Sequence, residues 1–123
     1  AFERGDEFAE RWEDAATVAT GIRVPSAVGD FLILRAVRQS GGAAIGVEEQ
    51  DILKAVEDVA RDDGMLLCPE GGAVLAGWRS ALERGLVGRN ETTLLFNCAN
   101  ANKYPLSDRS RRLELGNASA GML

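Results

Sequence analysis

Two thiols, two lysines and a scatter of carboxylates are the groups with which this 123-residue chain can do chemistry, because it contains no histidine. That absence removes Ser-His-Asp and Cys-His nucleophile pairs, His-ligated zinc and imidazole acid–base catalysis. Lys54 and Lys103 are the only lysines, and neither lies in an apolar stretch that would depress its pKa for covalent work on a carbonyl. Cys68 and Cys98 form no Cys-x-x-Cys pair and are too few for a disulfide scaffold, which suits a reducing cytoplasm. The glycine pairs at 41–42 and 71–72 match neither the dinucleotide fingerprint nor the P-loop. Two positions remain: Glu70, followed by Gly71-Gly72, and Cys98 within Asn97-Cys98-Ala99-Asn100. Each has a plain structural use, Glu70 as an acid favoured by a helix N-terminus and Cys98 as a small packed hydrophobe. The paired glycines also allow a backbone to come close to a ligand.

The elements that must position these residues follow from periodicity. From Ala27 to Ser40, the residues Val28, Phe31, Leu32, Leu34 and Val37 make a broad helical stripe that Gly41-Gly42 ends. Ala43 to Val47 reads as a short buried strand. A helix follows over Glu48 to Asp62, with Ile52, Val56 and Val59 on one face and acidic residues in its first turn. Met65 to Cys68 is a second short apolar run. Pro69 and Glu70 then open a helix in which Val74, Leu75, Trp78 and Leu82 recur up to Gly85. Thr92 to Phe96 is β-branched and aromatic, the strongest strand signal in the chain.

Helices alternating with short strands predict an α/β piece, a parallel sheet of about three strands flanked by helices. Ligands of such sheets collect at the carboxyl ends of the strands, so Glu70 and Cys98 are expected along one edge. Residues 1–105 make up this unit, and 106–123 form a polar tail that periodicity leaves partly unassigned.

Composition bounds the partners. A net charge of −5 gives no electrostatic reason to hold nucleic acid or an anionic membrane, and the Arg109, Arg111, Arg112 cluster reads as a solvated terminus. No apolar run approaches the roughly 20 residues of a membrane span. Ala1 to Trp12 reads straight into an amphipathic segment with no feature of a secretory signal, so a cytoplasmic location is expected and the Asn90 and Asn117 glycosylation triplets carry no meaning.

Several ordered blocks go further. Val18-Ala19-Thr20-Gly21-Ile22-Arg23-Val24-Pro25, then Gly29 to Arg35, Ser40-Gly41-Gly42, Cys68-Pro69-Glu70-Gly71 and Asn97-Cys98-Ala99 resemble, in this order, the C-terminal half of threonine synthase, a fold-type II pyridoxal-phosphate (PLP) enzyme. The resemblance covers about Ala1 to Pro105. It implies PLP as cofactor in the complete enzyme and a lyase of threonine biosynthesis that converts O-phosphohomoserine and water to threonine and phosphate. It further implies that the Schiff-base lysine and the phosphate loop belong to the N-terminal half, that Cys98 takes the place of the family's pyridine-nitrogen contact, and that Glu70 lies close to the ring. No catalytic residue and no metal ligand is assigned to this chain, and the chain alone is expected to be inactive.

Where the family continues Thr-Gly-Leu-Lys, this chain has Asn100-Ala101-Asn102-Lys103, which replaces a glycine suited to special backbone angles by alanine and points to an altered cofactor edge. The weaker blocks are shared with serine and threonine dehydratases, which leaves a dehydratase fragment as one alternative and a stand-alone α/β interaction module as another. The partners implied are a small-molecule substrate in the complete enzyme and, for the isolated chain, further copies of itself on the face shaped for the missing half.

Overall fold

The computed structural model describes residues 1–104, so the Arg109–Arg112 cluster, Asn117 and the polar tail lie outside the described residues. Among the described residues three helices form: α1 (Asp30–Gln39), α2 (Glu49–Asp62) and α3 (Pro69–Glu83). Short 3-10 turns stand at Thr20–Ile22 and Ala101–Lys103. The helix ends obey simple chemistry. Glu49 and Asp51 sit in the first turn of α2, where the macrodipole favours anions, and Arg61 sits in its last turn. Pro69 opens α3 at a position where its missing N–H costs nothing. Gly41, Gly64 and Gly85 follow the three helices with φ of +66°, +67° and +68°, the left-handed turn that glycine enters without strain.

The helix pair α2–α3 is the body of the molecule, and small residues make its contact. Ile52, Ala55 and Val59 are buried on α2, and Gly71, Gly72, Ala76 and Ala81 on α3. The large residues Val74, Leu75, Trp78 and Leu82, whose spacing marks α3 as a helix, are half-buried or, at Val74, 37% exposed. Their spacing is helical, but it is the small-residue face that lets the axes approach. At Gly72 an added Cβ would stand 2.7 Å from Val56 Cγ2 and 2.8 Å from the Ile52 carbonyl oxygen.

A charged hub locks this pair. Asp58 is 7% exposed and accepts hydrogen bonds from Lys54 (3.0 Å) and Arg61 (3.0 Å) on its own helix and from Arg79 of α3 (2.8 Å). Lys54 and Arg79 contribute most to holding its carboxyl down to about 2, against the opposing effect of burial, with Arg61 adding to them.

Helix α1 begins at Asp30 rather than near Ala27. Asp30 Oδ1 accepts from the Phe31 amide (2.7 Å) while Oδ2 accepts from the Ala9 amide (2.6 Å), so the first turn is fixed where that side chain sits. No residue of α1 is buried, and Val28 is 98% exposed just ahead of it. Residues 1–12 wrap over α1 as turns and irregular chain. Phe8 packs against Phe31 with the rings tilted by 49° and their centroids 5.9 Å apart, and the Arg38 guanidinium stands 5.7 Å from the Phe2 ring.

The expected parallel sheet is the main point of difference. Among the described residues no strand forms. The one bridge pairs Leu67 with Asn100, and it is antiparallel. Residues 43–47 and 92–96 have no ladder partner among the described residues, and Leu94 and Phe96 are 92% and 75% exposed. A helix closes its hydrogen bonds within its own segment, whereas a strand exists only opposite another strand. The strand-like composition of 92–96 therefore has nothing here on which to act.

Candidate functional site

The site is built around the first turn of α3. Cys68 is its N-cap, in extended backbone (φ −70°, ψ 159°), and the Sγ atom accepts the Gly71 amide at 3.4 Å. The thiol in turn donates to Asn97 Oδ1, also at 3.4 Å. Burial, the largest influence on it, raises the Cys68 pKa, so this sulfur is a neutral structural cap and not a nucleophile.

One residue beyond Pro69, Glu70 turns back into the protein and is 5% exposed. Its Oε1 receives two short hydrogen bonds, from the Gly21 amide (2.6 Å) and the Tyr104 hydroxyl (2.6 Å). Its Oε2 is equally buried and has no partner among the described residues. Burial alone would push the carboxyl pKa up. The Tyr104 hydroxyl and the backbone amides outweigh it, with the nearby Cys68 thiol adding to them, and bring the pKa below the ordinary value, so Glu70 is a carboxylate acting only as an acceptor. Tyr104 moves the other way. Ionising it would set a phenolate against the Glu70 carboxylate, and burial adds to that, so its pKa is raised.

Residues 97–104 are fastened across this turn at several points. Besides Asn97 and Tyr104, the Ala101 amide donates to the Leu66 carbonyl (3.1 Å) and Leu67 bridges Asn100. Cys98 rides on this fastened segment with an exposed side chain. The two residues singled out in the sequence thus share one region, Glu70 inside it and Cys98 on its rim. The substitution at Ala101 brings no backbone strain. Ala101 is not among the positive-φ residues, is 9% exposed, and takes part in the 3-10 turn.

The glycine pair 71–72 serves packing. A Cβ on Gly71 would run into Asn97 Oδ1, and one on Gly72 into α2. Lys54 is committed to Asp58, and Lys103 is exposed in the second 3-10 turn. A groove of about 370 Å³ lined by Met65, Val74, Leu75, Leu95, Phe96 and Arg79 runs past Gly71 and Asn97 but includes neither Glu70 nor Cys98. Gly21 and Tyr104 carry no local signal of their role in the sequence. The one available hint is that Thr20-Gly21 interrupts an apolar run, as a close backbone approach requires.

Comparison with known proteins covers most of the chain. The family model described as "Pyridoxal-phosphate dependent enzyme" matches residues 2–99. A threonine synthase of Methanosarcina acetivorans is 38% identical over 93 residues, which is 76% of this chain and 23% of that protein. A threonine synthase of Methanocaldococcus jannaschii is 30% identical over 94 residues, again 76% and 23%. A third, from Bacillus sp. strain ULM1, is 29% identical over 108 residues, or 87% of this chain and 31% of the relative. The chain spans about a quarter of the length of the curated relatives it matches.

Proposed function

The chain belongs to the pyridoxal-phosphate dependent enzyme family, and on that footing we propose that it is the part of a threonine synthase-like enzyme that forms one edge of the cofactor pocket. The reaction is conversion of O-phosphohomoserine and water to threonine and phosphate. The observation that carries the reading is the orphaned Glu70 Oε2, a buried ionised acceptor beside the segment that bears Cys98. A polar atom this buried is normally paired, and a donor on a bound molecule supplies what the described residues do not.

PLP, when bound, withdraws electrons from the substrate and so makes its carbon–hydrogen and carbon–oxygen bonds breakable. This chain contributes orientation and polarity. Cys98 would present its thiol to the pyridine nitrogen, and Glu70 would offer an acceptor oxygen near the ring. Neither lysine is free for covalent attachment, Lys54 because Asp58 holds it at 3.0 Å and Lys103 because it is solvated. The cofactor lysine and phosphate loop come from the part of the enzyme that these 123 residues do not cover, so the chain by itself is inactive.

That part also supplies the sheet. Residues 43–47 and 92–96 become strands when neighbours pair with them, and the uncovered Leu94, Phe96, Val28 and Trp12 are buried in the same event. In the isolated chain these side chains drive self-association instead. Sedimentation at rising concentration is expected to show oligomers, and a clean monomer that binds no hydrophobic dye overturns this.

Assay of the complete enzyme tests the activity. Phosphate release from O-phosphohomoserine, with threonine formed in equal amount, is expected. Ammonia release from serine or threonine without phosphohomoserine turnover would assign the enzyme to the dehydratases and reject this reading.

A further inference from the structure

Glu70 is held in an asymmetric way. Both donors converge on Oε1, and Oε2 is left buried and unpartnered among the described residues. A carboxylate turns easily about its last bond, so one donor alone would let the two oxygens exchange. Two short bonds from opposite parts of the chain, the Gly21 amide 49 residues before and the Tyr104 hydroxyl 34 residues after, remove that freedom. Gly21 is fitted for the task, since a Cβ there would stand 2.7 Å from Oε1 and block the approach.

We propose that Tyr104 is a positioning residue that clamps Glu70 by Oε1 so that Oε2 is the oxygen presented to an N–H or O–H donor of the bound molecule; this rests on the reading of Glu70 as facing the cofactor pocket. Tyr104 does not itself touch the ligand. Its partner atom is fully occupied within the protein, and its effect reaches the site through the orientation and charge of one carboxylate. The titratable groups that face Glu70 are Tyr104 and Cys68, and Cys98 on the fastened segment stands beside Cys68.

The sign of the pH dependence follows. An ionised Glu70 accepts from the ligand and a protonated one does not, so retention of PLP weakens as pH falls through the Glu70 pKa. Removing the Tyr104 hydroxyl raises that pKa and moves the acid limb upward, by about one pH unit for the loss of one hydrogen bond to a charged group.

The test uses the full-length enzyme and measures PLP retention by equilibrium dialysis across pH for the wild type, Tyr104→Phe, Glu70→Gln and the double variant. Tyr104→Phe is expected to move the limb upward, Glu70→Gln to abolish it, and the double variant to match Glu70→Gln. A difference titration of phenol absorbance, wild type against Glu70→Gln, is expected to show one tyrosine returning toward its ordinary pKa. This measurement does not depend on Tyr104→Phe folding. If Glu70→Gln abolishes the limb while Tyr104→Phe leaves it in place and no phenol shifts, the clamp is wrong and Glu70 keeps its role. If Glu70→Gln leaves the limb unchanged, the cofactor-facing role of Glu70 fails and the clamp with it.

Discussion

Replacing Gly72 by alanine is expected to destabilise the protein, while the same change at Gly77, five residues along the same helix, is expected to stabilise it. Helix propensity alone favours alanine by about 1 kcal/mol at both positions. Packing separates them. At Gly77 the new methyl would meet only Val47 Cγ1 at 3.9 Å, an ordinary contact, so the propensity gain stands. At Gly72 it would stand 2.7 Å from Val56 Cγ2 and 2.8 Å from the Ile52 carbonyl oxygen. The second atom is backbone, so α2 must move bodily, and overpacking of this kind costs about 1 to 3 kcal/mol. Gly72→Val adds branching to the same clash and should be worse. Unfolding midpoints of the two alanine variants in the complete enzyme check the argument. Stabilisation by both would mean that α2 and α3 do not meet at Gly72 as described, and destabilisation by both that Gly77 is more confined than its single 3.9 Å neighbour implies.

The second large effect is expected at Cys98, now in function. A neutral thiol hydrogen-bonds weakly to a pyridine nitrogen and cannot hold it protonated. Cys98→Ser keeps a neutral partner of similar size and should preserve most activity of the complete enzyme. Cys98→Asp brings a charge that pairs with a protonated ring nitrogen and should shift the ratio of products, and the absorbance of the bound cofactor, more than it shifts stability. Cys98→Ala should mainly weaken retention, by about two- to tenfold for one hydrogen bond of 0.5 to 1.5 kcal/mol. If spectrum, affinity and turnover stay unchanged in all three, Cys98 is an exposed residue on the segment fastened over α3 and no more.

The helices were readable from the sequence because their evidence is local. The recurrence of Ile52, Val56 and Val59, the first-turn acids of α2 and Pro69 at the start of α3 all act within a few residues. Which face of α3 packs was not legible, for a physical reason. Size and apolarity pick out Val74, Leu75, Trp78 and Leu82, whereas close approach of two helices selects Gly72, Ala76 and Ala81. Strand composition at 92–96 was visible, but pairing depends on neighbours that a single segment cannot announce. Glu70 was legible as a helix-start acid. Its partners were not, because no period or spacing links Glu70 to Gly21 or Tyr104, and Cys68 was read only as part of a strand end although its sulfur caps α3.

Those same separations set an order of assembly. The N-cap of α3 joins Cys68 to Gly71, three residues apart, and the Asp58–Arg79 tie spans 21. The Glu70 bonds close loops of 34 and 49 residues, so more chain entropy must be lost before either forms. The helix pair can therefore exist before the clamp does, and the clamp can open without the helices parting. Amide exchange should report this as earlier loss of protection at Gly21 than at Gly72, whose amide bonds the Cys68 carbonyl at 3.0 Å within the first turn of α3. Equal protection at the two amides would instead join clamp and helices in one cooperative unit. On the reading of this region as a pocket edge, an edge that closes last in folding and opens first in the native state would leave a route for the cofactor to enter and leave without unfolding the scaffold beneath it.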